Sequence, residues 1–341
     1  MRAAIYYSNS DLRLKEMPVP KAGEGELLLK VMASGICGSD VMEWYRKKKA
    51  PLVLGHEVAG EIVEAGKGVT QFKKGDRVFA THHVPCNRCF NCKTGRHTSC
   101  ETLRSTNFFP GGFAEYLKIP AANLETGVLK LLSTVSFEEA TFIEPLGCVV
   151  RAQRLAGMQK GYSVLVLGSG ISGLLHIQLA KANGAKKVFA TDINDYRLNA
   201  AKKFGAEKVW SAKEFSPEKL KEANSGKLAD LVIVCAGATS AFKQAFESVE
   251  RGGTILVFAP PAPDAKIEVP LNDFWCRGVN LVSSYAAVNE DLTEALSLIA
   301  EKKVNVKEMV SHRLPLAETA KGFQLTASAG ESLKVIIKPQ K

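Results

Sequence analysis

The stretch YSVLVLGSGISGLLHIQLAKANG, residues 162–184, decides the fold class. An apolar strand pattern (162–168) runs into glycines at 168, 170 and 173, and then into a helical pattern (172–184) that stops at Gly184. A lone GxGxxG is weak, but between a strand and the start of a helix it marks a dinucleotide-binding turn. In that reading Gly168 permits the tight turn, Gly170 lets a pyrophosphate approach the backbone, and Gly173 lets the helix pack closely. Ile171 and Ser172 complete the turn, and the amides at the helix start face the phosphate charge.

Working outward, a second strand, KKVFATD (186–192), ends on Asp192, nineteen residues past Gly173. An acidic side chain there accepts hydrogen bonds from both ribose hydroxyls and repels a 2′-phosphate, which favours NAD over NADP. Its competing role is a turn or helix-cap aspartate. Arg197 follows; it softens that selectivity, stacks on the adenine, or faces solvent. The alternation continues with DYRLNAAKKFG (195–205), ADLVIVCAG (229–237), SAFKQAFESVERGG (240–253), TILVFAP (254–260) and LVSSYA (281–286). Strands separated by helices predict a doubly wound parallel sheet of α/β class. The helical pattern LTEALSLIAEKK follows, and SLKVIIKPQK is a last strand with no helix after it, expected to return to the first domain. Before residue 150 the pattern is different: ELLLKVMAS (26–34), EVAGEIVEAG (57–66) and KKGDRVFA (73–80) read as strands and turns.

The 341 residues suggest about two domains. Lys and Arg number 45 against 35 acids, a net charge of +10 that is spread along the chain rather than gathered in an arm. The runs RKKK (46–49), KGVTQFKK (67–74) and AKKF (201–204) are expected as solvated faces, not nucleic-acid patches. MRAAIYYSNSDLRLKE lacks the apolar core of a signal peptide, and no apolar run approaches the ~20 residues of a membrane span. The expected location is the cytoplasm, where thiols stay reduced and dense cysteine spacing points to metal.

That spacing occurs in HHVPCNRCFNCKTGRHTSC (82–100), with Cys86, Cys89, Cys92 and Cys100. Four thiolates close a tetrahedral shell, zinc is the usual ion, and a closed shell leaves no place for substrate. The cluster therefore reads as a structural zinc site. His82, His83 and His97 are expected to face solvent. Cys148, Cys235 and Cys276 fall on apolar elements and are expected as inert core thiols. A third set is scattered: Cys37 in GICGSD, His56 and Glu57 in LGHEVAGEIVEAG, and Glu144 in FIEPLGC. Cysteine, histidine and carboxylate are all zinc ligands, and three of them leave a fourth position open. Each also has an ordinary reading, as a buried thiol, a core histidine, or a charge on a strand or helix face.

The order GICGSD, LGHEVAGEIVEAGKGVTQFKKGDRV, CNRCFNCKTGRHTSC, GGFAEY, FIEPLGCVVRA, VLVLGSGISGL and ATDINDYRL resembles the zinc-containing medium-chain dehydrogenases across essentially the whole chain. Glu144-Pro145-Leu146 resembles the polyol (sorbitol) and threonine dehydrogenase branch. The resemblance implies a GroES-like, β-rich catalytic domain over residues 1–147, a Rossmann NAD-binding domain over 148–285, and a return to the catalytic domain over 286–341. It implies two zinc ions per subunit, the closed thiolate one and a catalytic one. Cys37 and His56 are ligands of the second, with Glu57 and Glu144 sharing the carboxylate role, directly or at one remove. It further implies NAD as cofactor, an alcohol or polyol substrate, and a homodimer or homotetramer. Ser39 fits the family's proton-relay position. Two departures bear on the substrate. Met42 stands where many relatives carry a histidine, and only eighteen residues separate Cys37 from His56. Within that short segment Trp44 and Tyr45 are candidates for a pocket wall, and Arg46 to Lys49 either attract an acidic substrate or are merely solvated. A charged substrate, such as a sugar-alcohol phosphate or threonine, is the alternative to a neutral one. A zinc-ribbon nucleic-acid-binding protein would leave the GxGxxG context unexplained, and an inactive scaffold would turn over no alcohol.

Overall fold

A computed structural model describes residues 1–341. Two compact units divide the chain: residues 1–147, 286–301 and 306–341 form the first, and residues 148–285 with 302–305 the second.

The first unit opens with β1 (Arg2–Ser8), β2 (Asp11–Glu16), β3 (Leu27–Gly35), β4 (Leu52–Val53), β5 (Glu57–Ala65), β6 (Arg77–Ala80), β7 (Tyr116–Ile119) and β8 (Val128–Lys130). The second contains β9 (Ser163–Leu167), β10 (Lys187–Asp192), β11 (Lys208–Ser211), β12 (Ala229–Val234), β13 (Val249–Val257) and β14 (Asn280–Ser283). The chain then returns to the first unit with β15 (Val310–Pro315) and β16 (Lys334–Lys338).

In the second unit all six strands are parallel, in the order β11-β10-β9-β12-β13-β14. Every residue of β9 is buried, and so are all but one of β12. That is why these strands read as unbroken apolar runs rather than alternating ones. The strand order reverses between β9 and β12, and the glycine turn follows β9 at that switch point, where such sheets bind ligands. The sequence VERGG, read as the end of a helix, instead opens β13, with Val249 paired to Ala229. The preceding helix stops at Ser248, and Gly252 takes φ +71°, a left-handed conformation that no helix continues through. Cys276 is exposed rather than a core thiol, while Cys148 and Cys235 are half-buried. The short helix carrying it, Leu271–Arg277, buries only Phe274.

The first unit's larger sheet has the order β15-β16-β3-β5-β6-β8, with β7 pairing the first half of β3. β3 and β5 are antiparallel along their length, from Leu27↔Ala65 to Gly35↔Glu57, and β16 joins β3 at Ser34 and Gly35. The end of β3, the start of β5 and the start of β16 therefore converge. Cys37 follows the first and His56 precedes the second. Apolar side chains fix this register: Leu29, Val31, Val58 and Ile62 form one cluster, and Ile36, Phe113, Phe323, Val335 and Ile337 another.

Candidate metal centre and nucleotide turn

Cys37, His56 and Glu57 each place a ligand atom within 4.8 Å of the others. His56 is 7% exposed and Glu57 fully buried. Glu57 Oε2 accepts from the Lys334 ammonium, and Oε1 has no hydrogen-bond partner although it is buried. A buried carboxylate oxygen without a partner is costly unless something cationic meets it. Thiol, imidazole and orphaned carboxylate together fit a zinc ion with an open position. Glu144 stands outside this group, half-buried in the first turn of the helix Ile143–Leu155.

Asp40 organises the centre. It is fully buried; its Oδ2 accepts from the Cys37 amide at 3.0 Å, and its Oδ1 lies 3.3 Å from His56 Nδ1. Holding Nδ1 leaves Nε2 as the ligating nitrogen. Burial would raise the Asp40 carboxyl, but His56, Arg46 and the Cys37 amide outweigh it and hold it below the ordinary range. Burial likewise opposes a charged His56, yet Asp40 and Cys37 lift it well above the usual histidine value. Ser39 Oγ donates to Cys37 Sγ at 3.4 Å. Arg46 donates from Nη2 to Ser39 Oγ at 3.0 Å, from Nε to the Ser39 carbonyl at 3.0 Å, and more weakly to Asp40 Oδ1 at 3.4 Å. Its side chain is only 12% exposed, so Arg46 is not part of a solvated run. Lys47, Lys48 and Lys49 are exposed.

His82 and His83 depart from expectation: they are half-buried and lie beside His56 rather than exposed on a loop. The His82 ring lies 4.8 Å from that of His56, and His83 stacks on His82 at 3.6 Å. Asn123 turns this segment inward by donating to the carbonyls of Thr81 and His82 at 2.9 and 3.1 Å. Burial first, then His56, Arg46, Lys49 and Arg104, push His83 down to about 4. His97 is half-buried in the short turn His97–Ser99.

Cys86, Cys89, Cys92 and Cys100 also converge within 4.8 Å. Amide donors point at their sulfurs, from Cys86 to Cys100 Sγ and from Cys89 to Cys86 Sγ, each at 3.4 Å. Burial would raise Cys100, but the amides of Cys86 and Leu103 outweigh it and bring its thiol to about 6. Such N–H donors favour thiolate, the ligating form, so this cluster fits a closed zinc shell. Leu103 and Val288 pack against it.

At the nucleotide turn Gly168 takes φ +97°, and a side chain at Gly173 would run into the Gly168 carbonyl. Both positions therefore require glycine. Ile171 opens the helix Ile171–Ala182, with Ser172 in its first turn. Asp192 is 6% exposed; its Oδ2 accepts from the Ser169 amide at 2.7 Å and its Oδ1 from the Asn194 amide at 2.9 Å. A carboxylate has about four lone-pair sites, so both oxygens keep acceptor capacity. The Arg197 guanidinium lies over Gly170: a Cβ there would meet Nη1 at 3.7 Å. Its Nε is buried without a partner.

Sequence reasoning missed Asp40, Lys334 and the second role of Arg46. Asp40 was within reach, in the tripeptide after Cys37. Lys334 leaves a fainter signal, a lysine opening the otherwise apolar KVII.

Two family models match the chain: the alcohol dehydrogenase GroES-like domain over residues 23–128 and the zinc-binding dehydrogenase domain over 172–301. The chain is 34% identical to a sorbitol dehydrogenase of Gallus gallus, covering 98% of this chain and 96% of that protein. It is 35% identical to an L-threonine 3-dehydrogenase of Bacillus licheniformis, covering 95% and 94%. A zinc-binding dehydrogenase structure from Sinorhizobium meliloti 1021, bound to NADP, superposes with a TM-score of 0.88 at 27% identity, covering 99% of each chain. With matched domains spanning most of its length and relatives covering nearly all of it, the chain belongs to the zinc-binding, GroES-like alcohol dehydrogenase family.

Proposed function

We propose that this protein is a zinc-dependent oxidoreductase that converts the secondary hydroxyl of an alcohol or polyol to a carbonyl, reversibly, with NAD as hydride acceptor. The observation that carries this reading is the convergence of Cys37, His56 and the orphaned Glu57 carboxylate oxygen in one buried group. Those three residues would hold the catalytic ion, Glu144 would stand behind them, and the four cysteines would hold a structural one. Zinc, when bound there, supplies Lewis acidity to the substrate hydroxyl, and the nicotinamide, when bound, takes the hydride.

The chain's own residues do the rest. Asp40 fixes the His56 tautomer through Nδ1. Ser39 Oγ accepts from Arg46 and donates to Cys37, so to take the substrate's hydroxyl proton on its remaining lone pair it must turn its own proton from Cys37 to a water. Arg46 stays protonated at any working pH and Met42 carries no proton, so the proton leaves Ser39 through water. Gly168, Gly170, Ile171, Ser172 and Gly173 would cradle the pyrophosphate. Asp192 would accept from the adenine ribose and favour NAD, with Arg197 beside it.

A second reading is favoured by one observation. Lys49 and Arg104, besides the half-buried Arg46, lie near enough to His83 to add to burial in pushing its imidazole down, so positive charge surrounds the metal group. A substrate carrying phosphate or carboxylate would fit such surroundings. The exposed edge strand β14, with Leu271 72% and Trp275 84% exposed nearby in sequence, supports a homodimer, alone or as half of a homotetramer. No helix is long and apolar enough to cross a membrane, and the free thiols at both clusters suit a reducing cytoplasm. The test is NAD reduction measured over secondary alcohols, polyols, hydroxy amino acids and sugar-alcohol phosphates, with zinc counted on the same sample. No turnover of any of these by a zinc-loaded protein would overturn the reading.

A further inference from the structure

Lys334 and Glu57 are both 0% exposed, and they are paired. They sit on strands that are not neighbours: β16 pairs with β3, and β3 with β5. The ammonium gets across β3 at Gly35, where a Cβ would lie 3.0 Å from Nζ and would collide with the Glu57 carboxylate. Its other contacts are the Ile36 carbonyl at 3.3 Å and the Phe142 ring, 5.5 Å from Nζ to centroid. Glu57 thus has one oxygen taken by Lys334 and the other unpartnered, while grouped with Cys37 and His56.

We propose that Lys334 competes with the catalytic metal ion for Glu57, limiting how tightly that ion is held and keeping Glu57 a displaceable ligand. This rests on the reading of Cys37, His56 and Glu57 as ligands. Two electrostatic effects act in the same direction. The ammonium draws off part of the carboxylate's charge, and it is itself a like charge close to the ion. A residue that only orients a ligand behaves in the opposite way, because its removal weakens metal binding, by about 10- to 100-fold. Lys334 is a positioning residue whose loss should tighten binding instead.

Zinc affinity and release are measured on the full chain at fixed pH, by competition with a chromophoric chelator. Cys37→Ser defines the ion that belongs to this site. Lys334→Met keeps the length of the side chain without its charge. It should hold that ion about tenfold tighter and release it more slowly, while Glu57→Gln should hold it about tenfold more weakly. Adding Lys334→Met to Glu57→Gln should gain less than Lys334→Met gains alone, since the contested carboxylate is gone. Unchanged or weaker zinc binding in a folded Lys334→Met protein would overturn the proposal. If that variant does not fold, Lys334→Gln, a neutral side chain that can still donate a hydrogen bond, takes its place, and unchanged or weaker zinc binding in it overturns the proposal equally. A natural chain that takes up no more zinc than Cys37→Ser would overturn the ligand reading itself.

Discussion

Arg46 donates to the hydroxyl of Ser39 across 3.0 Å, so a permanently charged group that cannot release its proton adjoins the proposed proton acceptor. Ser39→Ala should lower kcat by about 10²-fold, the lower range for loss of a general acid–base partner. Arg46→Met frees Ser39 to rotate and should depress kcat more than it raises KM. Arg46→Lys should recover only part, because lysine lacks the fork that holds both the Ser39 hydroxyl and its carbonyl. Steady-state kinetics on the three variants decide it; an unchanged kcat in Arg46→Met would remove Ser39 orientation from the mechanism.

The two clusters should part company under mutation. About two zinc ions per chain are expected, one per cluster. Mild chelation should strip the open site first, ending turnover while the protein stays folded. Cys37→Ser should lose activity and stay folded, whereas Cys92→Ser should chiefly lose stability. An inactive Cys92→Ser protein with native stability and metal content would reverse the two assignments.

For the cofactor, catalytic efficiency should favour NAD over NADP, and Asp192→Ala should shrink that ratio. Because Asp192 also anchors the Ser169 amide, the variant should lose some thermal stability as well. Equal efficiencies with both cofactors in the natural protein would contradict the assignment, and Arg197 beside Gly170 would then be the group to examine.

The three exposed lysines that follow Arg46 separate the two substrate readings. If Lys47, Lys48 and Lys49 steer an anion, efficiency should fall with ionic strength, since steering is screened beyond a Debye length of ~8 Å at physiological salt. Neutralising the three lysines should then raise KM for an anionic substrate and leave a neutral alcohol untouched. Equal effects on both would make them solvated surface and leave a neutral polyol as the better substrate.

His176 gives a pH dependence of known sign. Burial pushes its imidazole down to about 3, well below the usual 6.5. As pH falls through 6.5 the unfolded chain takes up a proton that the folded one refuses. Stability present above pH 6.5 is therefore lost on acidification, by up to about 1.4 kcal/mol per pH unit. His176→Leu, which preserves the Gln153 bond to the residue 176 carbonyl, should flatten the fall of the urea midpoint between pH 6.5 and 4.5. An identical slope in both proteins would rule out His176 as a source. His82 and His83, also pushed down by burial, add in the same direction.

The parts legible in sequence are those built from neighbouring residues. Gly168 to Gly173 form their turn within six positions, and Cys86 to Cys100 their cluster within fifteen. Spacing could carry that information because local backbone geometry decides where the atoms fall. The partner of Glu57 lies 277 residues away, and only the β16–β3–β5 order brings it near. His82 and His83 looked like loop residues because nothing adjacent announces Asn123, forty residues on, which turns them inward. The VERGG segment failed for a different reason: Glu and Arg suit a helix, and tertiary pairing of Val249 overrode them.

The insertion of β16 beside β3 also fixes an order of events during synthesis. A ribosome makes residues 148–285, nearly all of the second unit, in one uninterrupted run, so that unit can close while the chain is still growing. The first unit cannot. Its strand β3 waits with the Ser34–Gly35 edge unpaired, and the buried Glu57 without its cation, until Lys334 to Lys338 have left the exit tunnel. A nascent chain stalled before residue 334 would carry an open sheet edge and a lone internal charge.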